Sequence, residues 1–182
     1  MLTFQIEHHK ELPSTNTLLL NYAREGRPEG LVVTADFQTE GRGKPGRVWV
    51  SPEGRNLLFS VLLRPCIPVN QAPILTQIAC RSVASALRET CSLEPEFKRP
   101  NDLLIGGKKI CGILTEAISD PAGLHAVVIG IGLNVNSTAE ELLPTATSLL
   151  ITTGKNQDRE TLLNAILDQL RKDIKSLYAP AV

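Results

Sequence analysis

The sequence predicts an α+β domain: a mixed, largely antiparallel sheet with helices packed on it. Two observations carry this. Short apolar runs with strand alternation lie close together, several joined by hairpin-like turns such as Gly106-Gly107. Two long segments, 74–90 and 159–178, instead repeat their apolar residues at helical spacing. Strands and helices are therefore mixed along the chain without the regular alternation of a doubly wound parallel sheet.

Taken in order, Thr3 to Glu7 is suited to a strand. Pro13-Ser14-Thr15-Asn16 then meets a helical pattern (Leu18, Leu19, Tyr22, Ala23) stopped by Gly26. Ser14, Thr15 or Asn16 can cap that helix, and a helix N-terminus also offers N–H groups and hydroxyls to a polar ligand. Gly30 to Phe37 reads as a strand with Gln38 at its end, and Asn56 to Leu63 as a strongly apolar strand. Pro65 to Pro73 breaks the chain. Ile74 to Thr90 forms a helix that buries Leu75, Ile78, Ala79, Val83, Ala86 and Leu87. Glu94 to Lys98 is a short strand, and Arg99-Pro100-Asn101-Asp102 a turn. Leu103–Ile105 and Lys108–Ser119 make a hairpin, and Leu124 to Leu133 a further strand whose internal glycines mark close approach of another group. The last helix, about Arg159 to Tyr178, buries Leu163, Ile166, Leu167, Leu170, Ile174 and Leu177, with Asn156 or Asp158 as its cap.

The 182 residues, 42% hydrophobic and 21% charged, suit one globular domain over 1–182. Net charge is zero, so any anion site must be a local concentration of cations. No apolar run is long enough to span a membrane, and Met1 to Glu7 lacks a signal-peptide core. Cys66, Cys80, Cys91 and Cys111 sit at irregular spacing in apolar surroundings and read as reduced, buried small residues of a cytoplasmic protein. CxxC and HExxH are absent, and His8, His9 and His125 have no metal-ligand spacing.

Against this background the stretch Gln38 to Trp49 stands out. Three glycines and three cations fall between Gly41 and Arg47, followed by an indole. Arg42, Lys44 and Arg47 repel one another unless an anion, or water and salt, sits among them. The stretch is either a solvated basic loop or a loop that closes over a phosphate-bearing ligand. Gly41, Gly43 and Gly46 do spell GxGxxG, but Pro45 interrupts it and no helix follows, so a dinucleotide fold is not implied. Two further polar segments interrupt the apolar chain, Lys98 to Asp102 and Lys108-Lys109. Asp102 is suited either to capping its turn or to holding Mg²⁺ with phosphate. Lys108 and Lys109 suit either a soluble hairpin edge or an anion site.

Five segments together resemble the biotin protein ligases: Ser14-Thr15-Asn16, the run Gly41 to Trp49, Lys98-Arg99-Pro100-Asn101-Asp102, Lys108 to Glu116, and Val128 to Asn136. They stand in the family's order. The resemblance implies a catalytic domain related in fold to lipoate ligases and class II aminoacyl-tRNA synthetases. It implies a reaction in which biotin and ATP form biotinyl-5'-AMP, with Mg²⁺, before biotin passes to a lysine of a biotin carboxyl carrier protein. Carried over by motif, Ser14, Thr15 and Gln38 match positions that bond the biotin head group. Gly41 and Arg42 match the loop over biotin and its activated carboxylate, and Gly112 and Gly130 line the pocket. Lys44, Arg47, Trp49, Asn101, Asp102 and Asn134 match the ATP site, with Asp102 at the metal. Lys109 matches the lysine beside the reacting carboxylate and α-phosphate, so Lys109 and Arg42 are the expected catalytic cations. Arg99 stands where the family commonly has Trp, and Lys44 where arginine is frequent. The family's small C-terminal β-barrel and the N-terminal DNA-binding domain of some members are expected to be absent. Exposed strand edges allow a homodimer or docking of the acceptor. Two other readings stay open: a lipoyl or octanoyl ligase, and a non-catalytic paralogue that binds biotin or an adenylate.

Overall fold

The computed structural model describes residues 2–44 and 46–178. Pro45, inside the glycine-rich loop, falls outside them. Seven strands form one sheet, β1 (Gln5–Leu12), β2 (Leu31–Gln38), β3 (Leu57–Leu63), β4 (Glu96–Lys98), β5 (Asp102–Ile105), β6 (Lys108–Asp120) and β7 (Gly123–Leu133). Their order across the sheet is β1-β2-β3-β7-β6-β5-β4. Only β1 and β2 pair in parallel; every other neighbour is antiparallel, in line with the expected mixed sheet. Four helices accompany it, α1 (Thr15–Arg24), α2 (Ile74–Cys91), α3 (Leu149–Thr153) and α4 (Arg159–Ile174).

Strand alternation divides the sheet into two unlike faces. From β3 and β7, Leu57, Phe59, Val61, Leu63, Val127, Ile129, Ile131 and Leu133 point to one side. There α2 and α4 lie against each other and supply Leu75, Val83, Leu87, Ile166 and Leu170. The opposite face is only partly covered. Helix α1 sets Leu19, Leu20 and Ala23 on Val33, Ala35, Leu62 and Val128. Covered on both faces, β3 is buried at all seven positions, which is why it reads as an unbroken apolar run. Arg64 anchors α1 from the end of β3, its guanidinium donating to the carbonyls of Ala23 at 3.0 Å and Arg27 at 2.9 Å.

The helix signals operate as expected at Ser14 and Asp158, whose side chains cap α1 and α4. Two boundaries and one short helix differ from the sequence reading. Strand β1 runs on through His8, His9 and Lys10 because parallel pairing with β2 satisfies its backbone while those polar side chains stay outside. Helix α4 stops at Ile174, and the chain tightens into a 3₁₀ turn over Lys175–Tyr178. Short α3 has too few residues to show periodicity; it is marked by the Ser148 cap and by Gly154 at φ 73°.

Burial also sets the thiol chemistry. Desolvation, with the nearby Asp102 charge, pushes the Cys80 thiol up to about 12, and burial holds Cys111 well above its ordinary value. In the folded chain both keep their protons at a pH where an unfolded chain loses them. Stability from these groups is therefore complete below about pH 9 and declines as pH rises from there toward about 12. Cys80 and Cys111 are buried as the sequence suggests, but Cys91 is only half-buried and Cys66 is exposed, because it lies in the proline-rich break after β3. Cys66 is expected to react first with a thiol reagent at pH 8, and Cys80 and Cys111 only on unfolding. Timed alkylation followed by peptide mass mapping checks the order.

Candidate active site

Beyond α1, three glycines open the partly covered face of the sheet. Gly112 of β6 pairs with Gly132 of β7, and Gly130 pairs with Leu114. A cavity of about 570 Å³ lies over this floor, walled by the start of α1, the loop after β2 and the turn before β5.

At one end, the first turn of α1 meets the end of β2. The Thr15 backbone N–H, one of the helix's unpaired N-terminal donors, gives its hydrogen to Gln38 Oε1 at 2.8 Å. Thr15 Oγ1 lies 3.1 Å from the same oxygen and 2.7 Å from Ser60 Oγ of β3. Ser14, Thr15 and Asn16 are all buried, at 3%, 4% and 3% exposure. Hydroxyls and a carboxamide thus converge on a polar end of the cavity.

The glycine-rich stretch is a narrow hairpin. Trp49 N donates to Gly41 O at 2.9 Å, Arg42 bridges Val48, and Gly43 N donates to Arg47 O at 3.0 Å. A Cβ on Gly41 would strike the Trp49 carbonyl, so the tight pairing requires glycine there. The hairpin delivers the Trp49 indole onto the glycine floor. A Cβ on Gly132 would come within 2.6 Å of the ring, and one on Gly112 within 2.8 Å. The indole Nε1 is buried without a hydrogen-bond partner among the described residues.

The other end of the cavity is cationic. The turn from Lys98 to Asp102 carries a cis Arg99–Pro100 peptide. Asn101 ties it to β6, its Nδ2 donating to Ile113 O at 2.7 Å while its carbonyl accepts from Ile113 N at 3.0 Å. Lys109 Nζ stands 2.8 Å from Asp102 Oδ1 and 5.3 Å from the Trp49 ring centre. The lysine contact is ionic rather than a well-angled hydrogen bond, so that buried carboxylate oxygen has no hydrogen-bond partner. Strict alternation would send Lys109 to the same face as Cys111 and Ile113, into the core. A bulge in the β5–β6 ladder prevents this: Leu103 pairs with Cys111 and Leu104 with Lys109, leaving Ile110 as the extra residue. The bulge re-aims the ammonium into the cavity.

Most residues singled out from the sequence meet here. Ser14, Thr15, Gln38, Arg42, Lys44, Arg47, Trp49, Asn101, Asp102, Lys109, Gly112 and Gly130 all line the cavity. Gly41 sits behind it in the hairpin. Asn134 does not line it: its buried Nδ2 donates to Thr147 O at 3.0 Å, and its carbonyl accepts from Leu149 N. That segment in turn bonds the Lys109 backbone through Thr145 and Thr147. Arg42 points its guanidinium at Glu116, with bonds of 3.0 and 2.5 Å. Asn16, Ser60, Glu116 and Gly132 were not foreseen as site residues. Ser60 and Gly132 lie within apolar strands, and only the sheet's register shows which face each takes.

Residues 9–134 match the sequence profile of the biotin/lipoate A/B protein ligase family, and the chain belongs to that family. It is 41% identical over 164 residues to the bifunctional ligase/repressor BirA of Bacillus subtilis, which covers 88% of this chain and 50% of that protein. It is 34% identical over 175 residues to the biotin--[acetyl-CoA-carboxylase] ligase of Mycobacterium tuberculosis, covering 93% and 64%. Its fold is similar to that of the biotin protein ligase from Aquifex aeolicus in complex with biotin and ATP, with TM-score 0.81, 32% identity and coverage of 97% and 73%. The chain spans about half the length of the BirA relatives it matches.

Trp49 is the chain's single tryptophan and reports on this floor directly. Gly132→Ala is expected to displace the indole and shift its emission to longer wavelength, with the circular dichroism of the sheet retained. Unchanged emission would show that the ring does not rest on Gly132 in solution.

Proposed function

We propose that the chain is the catalytic domain of a biotin protein ligase, joining biotin and ATP into biotinyl-5'-AMP and passing biotin to a lysine of a biotin carboxyl carrier protein. One observation carries the reading: the bulge-directed Lys109 beside the half-buried Asp102, in a cavity with one polar and one cationic end. Ser14, Thr15 and Gln38 bind the ureido head group, Gly112 and Gly130 leave room for the bicyclic ring, and Gly41 and Arg42 close over it. The carboxylate is then held near Lys109 Nζ.

In the first step a biotin carboxylate oxygen attacks the α-phosphorus of ATP. The bond to the β-phosphate oxygen breaks, and pyrophosphate leaves with its electron pair. Two anions must approach, so the barrier falls where fixed cations face the developing charge. Lys109 bridges carboxylate and α-phosphate, while Lys44 and Arg47 face the phosphates, Trp49 walls the nucleotide site and Asn101 orients the turn that borders it. Asn134 supports the nucleotide site through the segment that it bonds. Magnesium enters as part of the Mg–ATP substrate. Asp102 is the one acidic residue among those lining the cavity, and no cluster of three metal-ligating side chains occurs among the described residues. A single carboxylate suits an ion whose other ligands are phosphate oxygens and water. In the second step the acceptor's neutral lysine amine attacks the acyl carbon, AMP leaves, and the amine loses a proton as the amide forms. The closed hairpin excludes water from the anhydride meanwhile. No helix among the described residues is long and apolar enough to cross a membrane, and reduced thiols fit a cytoplasmic setting.

Purified protein is expected to catalyse biotin-dependent exchange of labelled pyrophosphate into ATP. Exchange with lipoate or octanoate in place of biotin would reassign the substrate, and binding of biotin without exchange would mark a non-catalytic paralogue. Lys109→Ala is expected to lower the exchange rate by roughly 30- to 1000-fold, the equivalent of about 2–4 kcal/mol of transition-state stabilisation. Biotin affinity measured by calorimetry should change far less. Small and equal effects on both would leave Lys109 as no more than an edge charge.

A further inference from the structure

A continuous chain of polar groups runs under the hairpin from Gln38 through Thr15, Ser60, Asn16 and Glu116 to Arg42. In the proposed reaction nothing at its Glu116 end touches a reacting atom. Glu116 of β6 accepts three hydrogen bonds: Oε1 from Arg42 at 3.0 Å, and Oε2 from Arg42 at 2.5 Å and from Asn16 Nδ2 at 2.8 Å. All three partners are donors, so both oxygens of a carboxylate are needed. A carboxamide here would turn its NH₂ on one of those donors.

Glu116 also fixes which way Asn16 faces. Asn16 Nδ2 donates to both Glu116 and Leu114 O, which leaves Oδ1 to accept from Ser60 at 2.5 Å. Ser60 carries a single hydroxyl proton, and Asn16 Oδ1 can only accept, so the proton belongs to that contact. The 2.7 Å contact between Ser60 and Thr15 is then served by the Thr15 proton, and the longer 3.1 Å approach of Thr15 Oγ1 to Gln38 Oε1 carries none. Gln38 Oε1 keeps the Thr15 backbone N–H. Thr15 Oγ1 is left with a lone pair for the cavity, and Gln38 with its NH₂. The pocket end thus offers an acceptor beside a donor, the complement of a cyclic urea's N–H and carbonyl.

We propose that Glu116 and Asn16 are positioning residues that act as one unit. They tether the hairpin through Arg42 and set the hydrogen-bonding polarity of the head-group pocket. Arg42 is on this account a tether, its guanidinium committed to Glu116, and Lys109 is left as the cation for the reacting groups. The ligand-binding consequence rests on the biotin reading; the tether itself does not.

The test is a cycle of Glu116→Gln, Arg42→Gln and the double variant, each first shown to be folded by circular dichroism. Initial rates of biotin-dependent pyrophosphate exchange separate KM from kcat, and trypsin nicking at Arg47–Val48 reads the hairpin without ligand. Glu116→Gln is expected to raise KM for biotin about tenfold, with kcat kept within about threefold, and to speed nicking several-fold. The double variant should be no worse than the more affected single, because both remove one interaction. Multiplying effects, a fall in kcat at unchanged KM, or wild-type nicking in both singles would overturn the proposal. Should Glu116→Gln fail to fold, Arg42→Gln, which alters only a half-exposed loop side chain, makes the same claim about nicking. Wild-type protein without biotin-dependent exchange would defeat the functional reading, whereas the nicking cycle would still decide the tether.

Discussion

Everything in the cavity depends on two glycines that face each other across adjacent strands. Gly112 and Gly132 are paired in the middle of an otherwise side-chain-rich sheet. Isolated glycines weaken a strand, and these have no side chain to pack. What they provide is depth. With no Cβ at either position, the Trp49 ring settles directly on the backbone. Gly130 does the same two pairs further along, where Asn16 fills the space a methyl would take. The opposite face of the same strands shows how the weakness is offset: Ile129, Ile131, Leu133, Cys111 and Ile113 are all buried under α2 and α4. One side of the sheet supplies the stability and the other the recess.

Charge is the second constraint. Six cations line the cavity, Arg42, Lys44, Arg47, Lys98, Arg99 and Lys109, against the single carboxylate of Asp102. Two are neutralised internally, Lys109 by Asp102 and Arg42 by Glu116. Lys44, Arg47, Lys98 and Arg99 have no ion-pair partner among the described residues and leave a local positive field on a chain with zero net charge. Such a field favours anions over cations. Arg99 adds to it at a position where an aromatic ring would have contributed only a surface.

Much of the site was legible in the sequence because its chemistry is written in local runs. Glycines and cations adjoin in 41–47, Pro100-Asn101-Asp102 forms its own turn, and Ser14 announces a helix start. These are short-range signals, and the structure gathers them into one cavity. Asn16, Ser60 and Glu116 were harder to read. Each is an ordinary polar residue within a helix or strand, and its role comes from partners 44, 98 or 100 residues away. Asn134 shows the converse: it stands in a conspicuous motif, yet its side chain bonds the segment behind Lys109 and does not reach the cavity wall.

The sequence determined the α+β class, the three longer helices and nearly every strand, since periodicity and caps depend on neighbours within a few residues. It also determined that a glycine-rich basic loop, a carboxylate-bearing turn and a lysine-bearing hairpin exist. Only the tertiary structure decided which way Lys109 points. By alternation it belongs to the core, and the bulge at Ile110 turns it into the cavity. Pairing between β5 and β6 creates that bulge, and no residue on either strand encodes it alone. For the same reason the committed guanidinium of Arg42 and the direction of the hydroxyl chain emerge only when β2, β3, β6 and α1 are brought to one face of the sheet.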